Sequence, residues 1–240
     1  MASRKTRSDK KRGNLTWGLS ALFLVLVGAF LFLRSPFFDI REFYVEGNHV
    51  VPEEEIVARC GQNAANIFAF DLDKASALIE SSPWIERAWC RRKLPDTILI
   101  TVTERVPVAF VPTGEASYLV DKQGRVLGED DGSREGLVAL TGPMDPVSPG
   151  YFLDDATYGW GLRVLSMLGE LARSKVTEIN VQGGACTLIL DDGCRVLMGE
   201  EDSKSRERVS LLESILADLG KEGILAKQID LRFEKPTIRT

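Results

Sequence analysis

The longest uncharged stretch of the chain, residues 15–33, limits what the sequence can fold into more than any other feature. Its nineteen residues read LTWGLSALFLVLVGAFLFL. As an α-helix they would extend about 28 Å, close to the ~30 Å hydrocarbon thickness of a bilayer, with the backbone hydrogen bonds satisfied inside the helix. The stretch therefore predicts a transmembrane helix over residues 15–34. A buried core helix is the alternative, but such a helix rarely stays apolar on every face.

The charges on either side of this stretch predict its orientation. Asp9 is the single acidic residue before it, whereas the basic residues there are Arg4, Lys5, Arg7, Lys10, Lys11 and Arg12. Because basic flanks stay in the cytoplasm, we expect residues 1–14 to form a cytoplasmic tail and the chain after Arg34 to be exported. A cleaved signal peptide ending near Ala29 is an alternative, but the apolar run is longer than a usual signal core and continues through Leu33. A nucleic-acid-binding arm is a weaker interpretation of the basic tail than orientation and attraction to anionic lipid.

The charge balance of the exported part limits its partners. The whole chain has 30 basic and 35 acidic residues, and residues 1–34 hold seven basic and one acidic, which leaves 23 basic and 34 acidic in the remainder. A net charge of −11 argues against nucleic acid or anionic lipid headgroups as the main partner of that part. Its 206 residues suffice for one or two compact domains.

The four cysteines, Cys60, Cys90, Cys186 and Cys194, form no CxxC pair and so give little support to a zinc site. In a hairpin closed at Gly193, Leu190 would face Cys194, so Cys186 would be out of register for a bridge. Cys60 and Cys90 could meet only where a helix end packs beside a strand. We expect all four to act as small apolar residues.

The first exported region alternates between strand and helix patterns. A strand pattern over 40–45 precedes a helix opened by Pro52, and a second helix is capped by Asp71. Strand patterns then cover residues 84–91 and 97–104. The order is therefore β-α-α-β-β, a small sheet with two helices on one face.

The second exported region is predicted to be rich in strands, with two helices. One helix follows Asp154 or Asp155, with an apolar stripe that continues to Leu171. The other begins near Ser203 and has an apolar stripe at helical spacing, made by Val209, Leu212, Leu216 and Leu219. Predicted strands pair around a turn at Gly124 and then continue over 176–181, 187–190, 194–198 and 228–233.

Short motifs that succeed one another along the whole chain resemble those of the FtsQ family of bacterial cell-division proteins, called DivIB in Gram-positive bacteria. Within residues 45–109 the motifs are VEGN, PWI, LPDT and ERVPVA. Those further along are YLVD before Gly124, LTGP, LILDDG, VLMG and IDLRF. The resemblance implies an α+β protein with a single N-terminal transmembrane helix over 15–34, a POTRA domain over 38–106, a C-terminal β domain with two helices over 107–235, and a tail over 236–240.

The resemblance also implies a role. Members of this family are single-pass inner-membrane proteins of the divisome, with periplasmic domains at the septum that bind the division proteins FtsB and FtsL and thereby reach the septal peptidoglycan synthase. Carried over by motif, the contact residues here would be Leu231, Arg232, Phe233 and Glu234. Arg232 would meet a partner carboxylate and Phe233 would be an aromatic anchor. An inward-facing strand residue is the plainer interpretation of Phe233.

The chain departs from its relatives at two positions. Pro236 stands where some relatives have glycine, and because proline lacks an N–H, strand addition would stop near Lys235. Cys186 stands where many have tryptophan.

Chemistry-bearing motifs are scarce. His49 is the single histidine, and neither a nucleophile elbow nor a phosphate-binding glycine loop occurs. We therefore expect a binding protein, not an enzyme, with no cofactor, no metal and no small-molecule ligand. A POTRA-bearing assembly chaperone and an anchored periplasmic enzyme are the alternatives.

Overall fold

The computed structural model describes residues 8–61, 65–114, 116–132, 136–143 and 147–240, with side chains described from residue 17 onward. Helix α1 extends over Ser8–Leu33, so it contains the predicted helix except for Arg34, whereas residues 1–7 of the predicted tail fall outside the described part. No helix in the described part of the chain combines the length and the apolarity needed to cross a membrane. The transmembrane helix over 15–34 is therefore not confirmed and stays a prediction.

The described chain divides into two compact units. After α1, the first unit contains β1 (Glu42–Glu46), α2 (Glu53–Cys60), α3 (Leu72–Glu80), most of β2 (Ile85–Lys93) and nearly all of β3 (Thr97–Glu104). The three strands form a sheet in the order β1-β3-β2, with β1 parallel to β3. The predicted order β-α-α-β-β is confirmed.

Local signals explain the two short helices of this unit. Pro52 precedes α2, and the first turn of this helix contains Glu53, Glu54 and Glu55. Carboxylates are stabilised at this position by the positive end of the helix dipole. The Asp71 Oδ1 atom accepts a hydrogen bond from the Lys74 backbone N–H at 3.0 Å and so caps the start of α3. Alternate residues of β3 are buried, which gives the small sheet an apolar side made by Ile98, Ile100 and Val102.

The second unit is built on a nine-stranded sheet in the order β12-β11-β10-β9-β8-β7-β4-β5-β6. The strands are β4 (Pro107–Pro112), β5 (Ser117–Asp121), β6 (Val126–Glu129), β7 (Val138–Thr141), β8 (Val176–Gln182), β9 (Ala185–Leu190), β10 (Arg195–Glu200), β11 (Gln228–Asp230) and β12 (Thr237–Arg239). The helices are α4 (Trp160–Met167), preceded by a π-helical turn over Asp155–Gly159, α5 (Glu170–Lys175) and α6 (Ser205–Glu222). Strands β4, β7 and β12 were not predicted from the sequence.

The core of this unit lies between the sheet and its helices. Alternating residues of β9, Cys186, Leu188 and Leu190, pack in one cluster with the α6 stripe that includes Leu212 and Leu216. The predicted apolar stripe of α6 is thus confirmed. All four cysteines are free, and the Leu190 N–H donates to the Cys194 carbonyl at 2.9 Å, so Leu190, not Cys186, faces Cys194 as expected.

The prediction of only two helices in this region was wrong, because the first predicted helix is broken between α4 and α5. Leu168 is extended, and Gly169 precedes the new helix. The Glu213 carboxylate of α6 accepts a hydrogen bond from the Ala172 backbone N–H at 3.1 Å, so it caps α5 from another helix. A Cβ atom on Gly169 would lie 2.6 Å from the Glu213 Oε1 atom, so glycine leaves the space that this carboxylate fills.

Candidate functional site

The four residues predicted to bind a partner lie in a bend between β11 and β12. The predicted strand over 228–233 was wrong at its end, because β11 stops at Asp230. The Asp230 Oδ1 atom accepts a hydrogen bond from the Arg232 backbone N–H at 3.1 Å. Such an Asx turn gives the backbone an alternative to the strand ladder, so the chain turns away from the sheet at this point.

Burial separates the four predicted contact residues. The Leu231 side chain is 1% exposed and belongs to the core cluster, whereas Phe233 is 66% exposed. Arg232 and Glu234 are also exposed. Leu231 therefore supports the bend from beneath, and the other three side chains are the ones available to a partner. Phe233 is not the inward-facing strand residue of the plainer interpretation.

Arg232 is held in a fixed orientation by its own chain. Its Nε atom donates to the Asp230 Oδ1 atom at 2.9 Å, and its Nη2 atom donates to Oδ2 at 2.7 Å. These bonds hold the pKa of Asp230 below its ordinary value and raise the pKa of Arg232. The Arg232 guanidinium also lies 5.6 Å from the centre of the Phe233 ring. The pair thus presents a charged fork beside an exposed aromatic face.

A groove of about 490 Å³ separates the bend from the first half of α6. The residues that line it are Asp202, Lys204, Glu207, Arg208, Leu211, Leu231, Arg232, Phe233 and Glu234. We call it the C-terminal groove. Lys204 Nζ donates to Glu234 Oε1 at 2.8 Å, a bond that raises the pKa of Lys204 and lowers the pKa of Glu234. The acidic and basic side chains that line the C-terminal groove balance in charge, so the groove favours a partner that carries charges of both signs and apolar groups.

Arg208 anchors the wall of the C-terminal groove that α6 provides. Its guanidinium is buried and donates to the carbonyl oxygens of Met198 and Glu200 and to the Asp202 carboxylate. Arg208 was not predicted from the sequence as part of the site. Its position four residues before Leu212 was the feature that could have indicated it, because that spacing places Arg208 on the stripe of α6 that faces the core.

Strand β12 borders this site and forms one edge of the nine-stranded sheet. It runs antiparallel to β11, with Ile238 opposite Ile229 and Thr237 opposite Asp230. All three β12 residues are exposed. The segment predicted as a tail, 236–240, contains this strand, because strand pairing resumes directly after Pro236. An edge strand keeps one row of backbone groups without a neighbouring strand.

No group of three or more His, Cys, Asp or Glu side chains within the described ranges is arranged to hold a metal ion. The polar groups around the bend are instead engaged in structural hydrogen bonds. What the arrangement offers is an exposed aromatic ring, an oriented guanidinium, a groove and a strand edge, which are the elements of a protein-binding surface.

Comparison with known proteins identifies the relatives of the chain. The family model for the POTRA domain of FtsQ type matches residues 38–105, and the model for the C-terminal part of the cell division protein FtsQ/DivIB matches residues 109–232. The cell division protein FtsQ of Syntrophotalea carbinolica is 31% identical, with 92% of this chain and 83% of that protein covered. FtsQ of Chloroflexus aurantiacus is also 31% identical, with 97% of this chain and 84% of that protein covered.

A solved structure, the major extracytoplasmic domain of the trans isomer of DivIB from Geobacillus stearothermophilus, matches with 17% identity and a TM-score of 0.35, covering 50% of this chain and 97% of that one. The family models, which together account for most of the chain, and the two FtsQ relatives carry the assignment. The chain belongs to the FtsQ/DivIB family of bacterial cell division proteins.

Proposed function

We propose that this protein is a divisome scaffold that binds FtsB, and with it FtsL, through the C-terminal groove and the edge strand β12. It would thereby connect early division proteins to the septal peptidoglycan synthase. Its domains would be the POTRA domain over 38–106 and the C-terminal domain over 107–235, both on the periplasmic side of the inner membrane. Membership of a cell division family supports the cellular role, and the binding surface supports the mechanism.

The observation that carries this proposal is the position of β12 beside Phe233. The strand ends a nine-stranded sheet, its residues are exposed, and the exposed Phe233 side chain precedes it by a few residues. A partner strand can add to such an edge by main-chain hydrogen bonds, while pockets for its side chains provide specificity. Pro236 stands before β12, so its missing N–H does not interrupt the ladder that this strand would extend.

The C-terminal groove indicates what the partner segment would carry. An apolar side chain could cover the exposed faces of Leu211 and Phe233, and burial of about one large aliphatic side chain contributes roughly 1.5–3 kcal/mol. A carboxylate beside it could accept from the Arg232 guanidinium, whose fork Asp230 already orients. An extended segment with alternating apolar and acidic residues would meet both requirements.

We also propose that α1 anchors the chain in the membrane with its N-terminus in the cytoplasm. The uncharged run of residues 15–33 and the basic residues before it support this orientation. The described apolar side chains of α1, among them Leu24 and Leu31, are exposed. The test is protease treatment of spheroplasts followed by alkaline extraction. Digestion of the chain after Arg34 and retention of α1 in the pellet would support the anchor, and release of the intact chain by alkali would contradict it.

Site-specific photocrosslinking tests the binding surface. A photoreactive amino acid placed at Phe233 or at Ile238 should capture FtsB in dividing cells, because both positions are exposed beside the proposed path of the partner. The matched control is Leu225, an apolar residue of the same unit that is 76% exposed and lies outside the C-terminal groove. Equal capture at all three positions, or none at Phe233 and Ile238, would contradict the proposal.

Depletion of the protein tests the cellular role separately. If the chain is a divisome scaffold, depleted cells should elongate without completing septa. A POTRA-bearing assembly chaperone would instead be revealed by loss of outer-membrane proteins with normal septation.

A further inference from the structure

Two of the four free cysteines meet in the first unit, although they are separated by α3 and the turn after it. Cys60 is the last residue of α2, and Cys90 lies within β2. Helix α3 packs on α2, and its Ser76 Oγ atom accepts a hydrogen bond from the Cys90 backbone N–H at 3.3 Å. Ala75, the preceding residue of α3, lines a small cavity together with Cys60. Each thiol is the largest influence on the pKa of the other, and both cysteines lie against the same turn of α3, so the two side chains are neighbours.

The surroundings of the two thiols give them different chemistry. Hydrogen bonding with Cys60 lowers the pKa of Cys90 to about 7 and outweighs the opposing effect of partial burial. The same pairing, together with burial, raises the pKa of Cys60. Cys90 is half-buried, whereas Cys60 is only 3% exposed. Since a thiolate is the nucleophile in disulfide exchange and Cys90 is the more exposed of the two thiols, Cys90 is placed to react first with an external disulfide and Cys60 to react second.

We propose that Cys60 and Cys90 form an intramolecular disulfide by exchange with an external disulfide, either a small molecule or a thiol-disulfide oxidoreductase. The Cys90 thiolate attacks one sulfur of the external disulfide and releases the other as a thiol. Cys60 then loses its proton and attacks the Cys90 sulfur of the mixed disulfide, which releases the second external thiol. The protein gives up two hydrogens and is oxidised, and the external disulfide is reduced to two thiols.

The other two cysteines do not share this arrangement. Cys186 and Cys194 are both buried in the core of the second unit, where burial raises the pKa of Cys186 to about 12 and that of Cys194 to about 11. Asp192 adds to the shift at Cys194. In the sheet, Cys186 lies opposite Gly199, not Cys194. The oxidation should therefore be confined to the pair in the first unit.

The bond would join the end of α2 to β2 and close a loop that contains α3. Closing such a loop restricts the unfolded chain, so the oxidised first unit should unfold at a higher temperature than the reduced one. This inference does not depend on the export proposed above, because the reduced, purified full-length chain carries both thiols.

Redox titration of the purified full-length chain tests the proposal. The reduced protein is equilibrated in buffers with rising ratios of oxidised to reduced glutathione, quenched with acid, unfolded, alkylated and mapped by mass spectrometry. We expect the Cys60 and Cys90 peptides to lose their alkylation together and to appear as one crosslinked species, while Cys186 and Cys194 stay alkylatable. Persistent alkylation of Cys60 and Cys90, or a stable glutathione adduct on Cys90, would overturn the proposal.

Two variants distinguish the order of the steps. Cys60→Ser should trap glutathione on Cys90, whereas Cys90→Ser should leave Cys60 unmodified, and Cys186→Ser should oxidise like the wild type. Should either of the first two variants fail to fold, the thermal midpoint of the wild-type protein decides. A rise on oxidation that reductant reverses supports the disulfide, and an unchanged or lower midpoint contradicts it.

Discussion

Arg232 and Asp230 are joined by two parallel hydrogen bonds, Nε to Oδ1 at 2.9 Å and Nη2 to Oδ2 at 2.7 Å. The same Oδ1 atom accepts from the Arg232 backbone N–H, so one carboxylate both ends β11 and orients the guanidinium. A side chain fixed in this way loses less conformational freedom when a partner binds. The pair therefore connects the local fold of the bend to the binding surface that we propose.

The first prediction concerns the pH dependence of stability. The Arg232 hydrogen bonds lower the pKa of Asp230 below its ordinary value of 3.8, so the folded state holds the ionised carboxylate more strongly than the unfolded state does. Its contribution to stability is thus fully present above about pH 4 and is lost as the pH falls through the folded-state pKa. Asp230→Asn should flatten this loss, as measured by urea unfolding at pH 5 and pH 3. A variant that loses as much stability between pH 5 and pH 3 as the wild type would contradict the coupling.

Arg232→Gln should also flatten this loss of stability, and the double variant should add little to the effect of either single substitution.

The second prediction separates support from binding within the bend. Leu231→Ala should lower the free energy of unfolding by about 2–4 kcal/mol, because it removes a side chain that is 1% exposed and leaves a cavity in the core. The measurement is chemical denaturation at neutral pH. The control is Phe233→Ala, which should change stability by less than about 1 kcal/mol because that ring is mostly exposed. Equal losses in the two variants would show that both side chains serve the core.

The third prediction concerns Arg208. Arg208→Ala should destabilise the second unit by about 2–3 kcal/mol, since the carbonyl oxygens of Met198 and Glu200 lose their buried donor. Arg206→Ala, an exposed position on the same helix, should change the unfolding free energy by less than about 0.5 kcal/mol. Thermal unfolding followed by circular dichroism can compare the two. A stable Arg208→Ala protein would mean that water replaces the guanidinium at these carbonyls.

Much of the fold could be predicted because its signals are local. The apolar residues Ile98, Ile100 and Val102, which the structure buries, predicted β3. The helical spacing of Leu212 and Leu216, which pack in the core, predicted α6. The break between α4 and α5 depends instead on Glu213, a residue 41 positions after the N–H that it caps. Contacts of that kind arise only when distant helices pack together.

The residues of the candidate site could be proposed from the sequence, but their local structure could not. Phe233 is exposed where the resemblance indicated, whereas Leu231 is a core residue, and the strand ends before either of them. The Asx turn at Asp230 competes with the ladder, and a periodic pattern does not reveal which of the two wins. Strand β12 was missed because three exposed residues after a proline carry almost no pattern.

Binding of the FtsB ectodomain to Phe233→Lys tests the central claim most directly. The ring is exposed beside the edge strand, and replacing an anchor of this kind with a charged side chain typically costs at least about 1.4 kcal/mol, a tenfold loss of affinity. The matched variant Leu225→Lys changes another exposed apolar side chain of the same unit and should stay within about twofold of the wild type. Isothermal titration of the three full-length proteins, with circular dichroism to verify folding, provides the comparison. A folded Phe233→Lys protein that binds FtsB as tightly as the wild type would contradict the proposed binding surface.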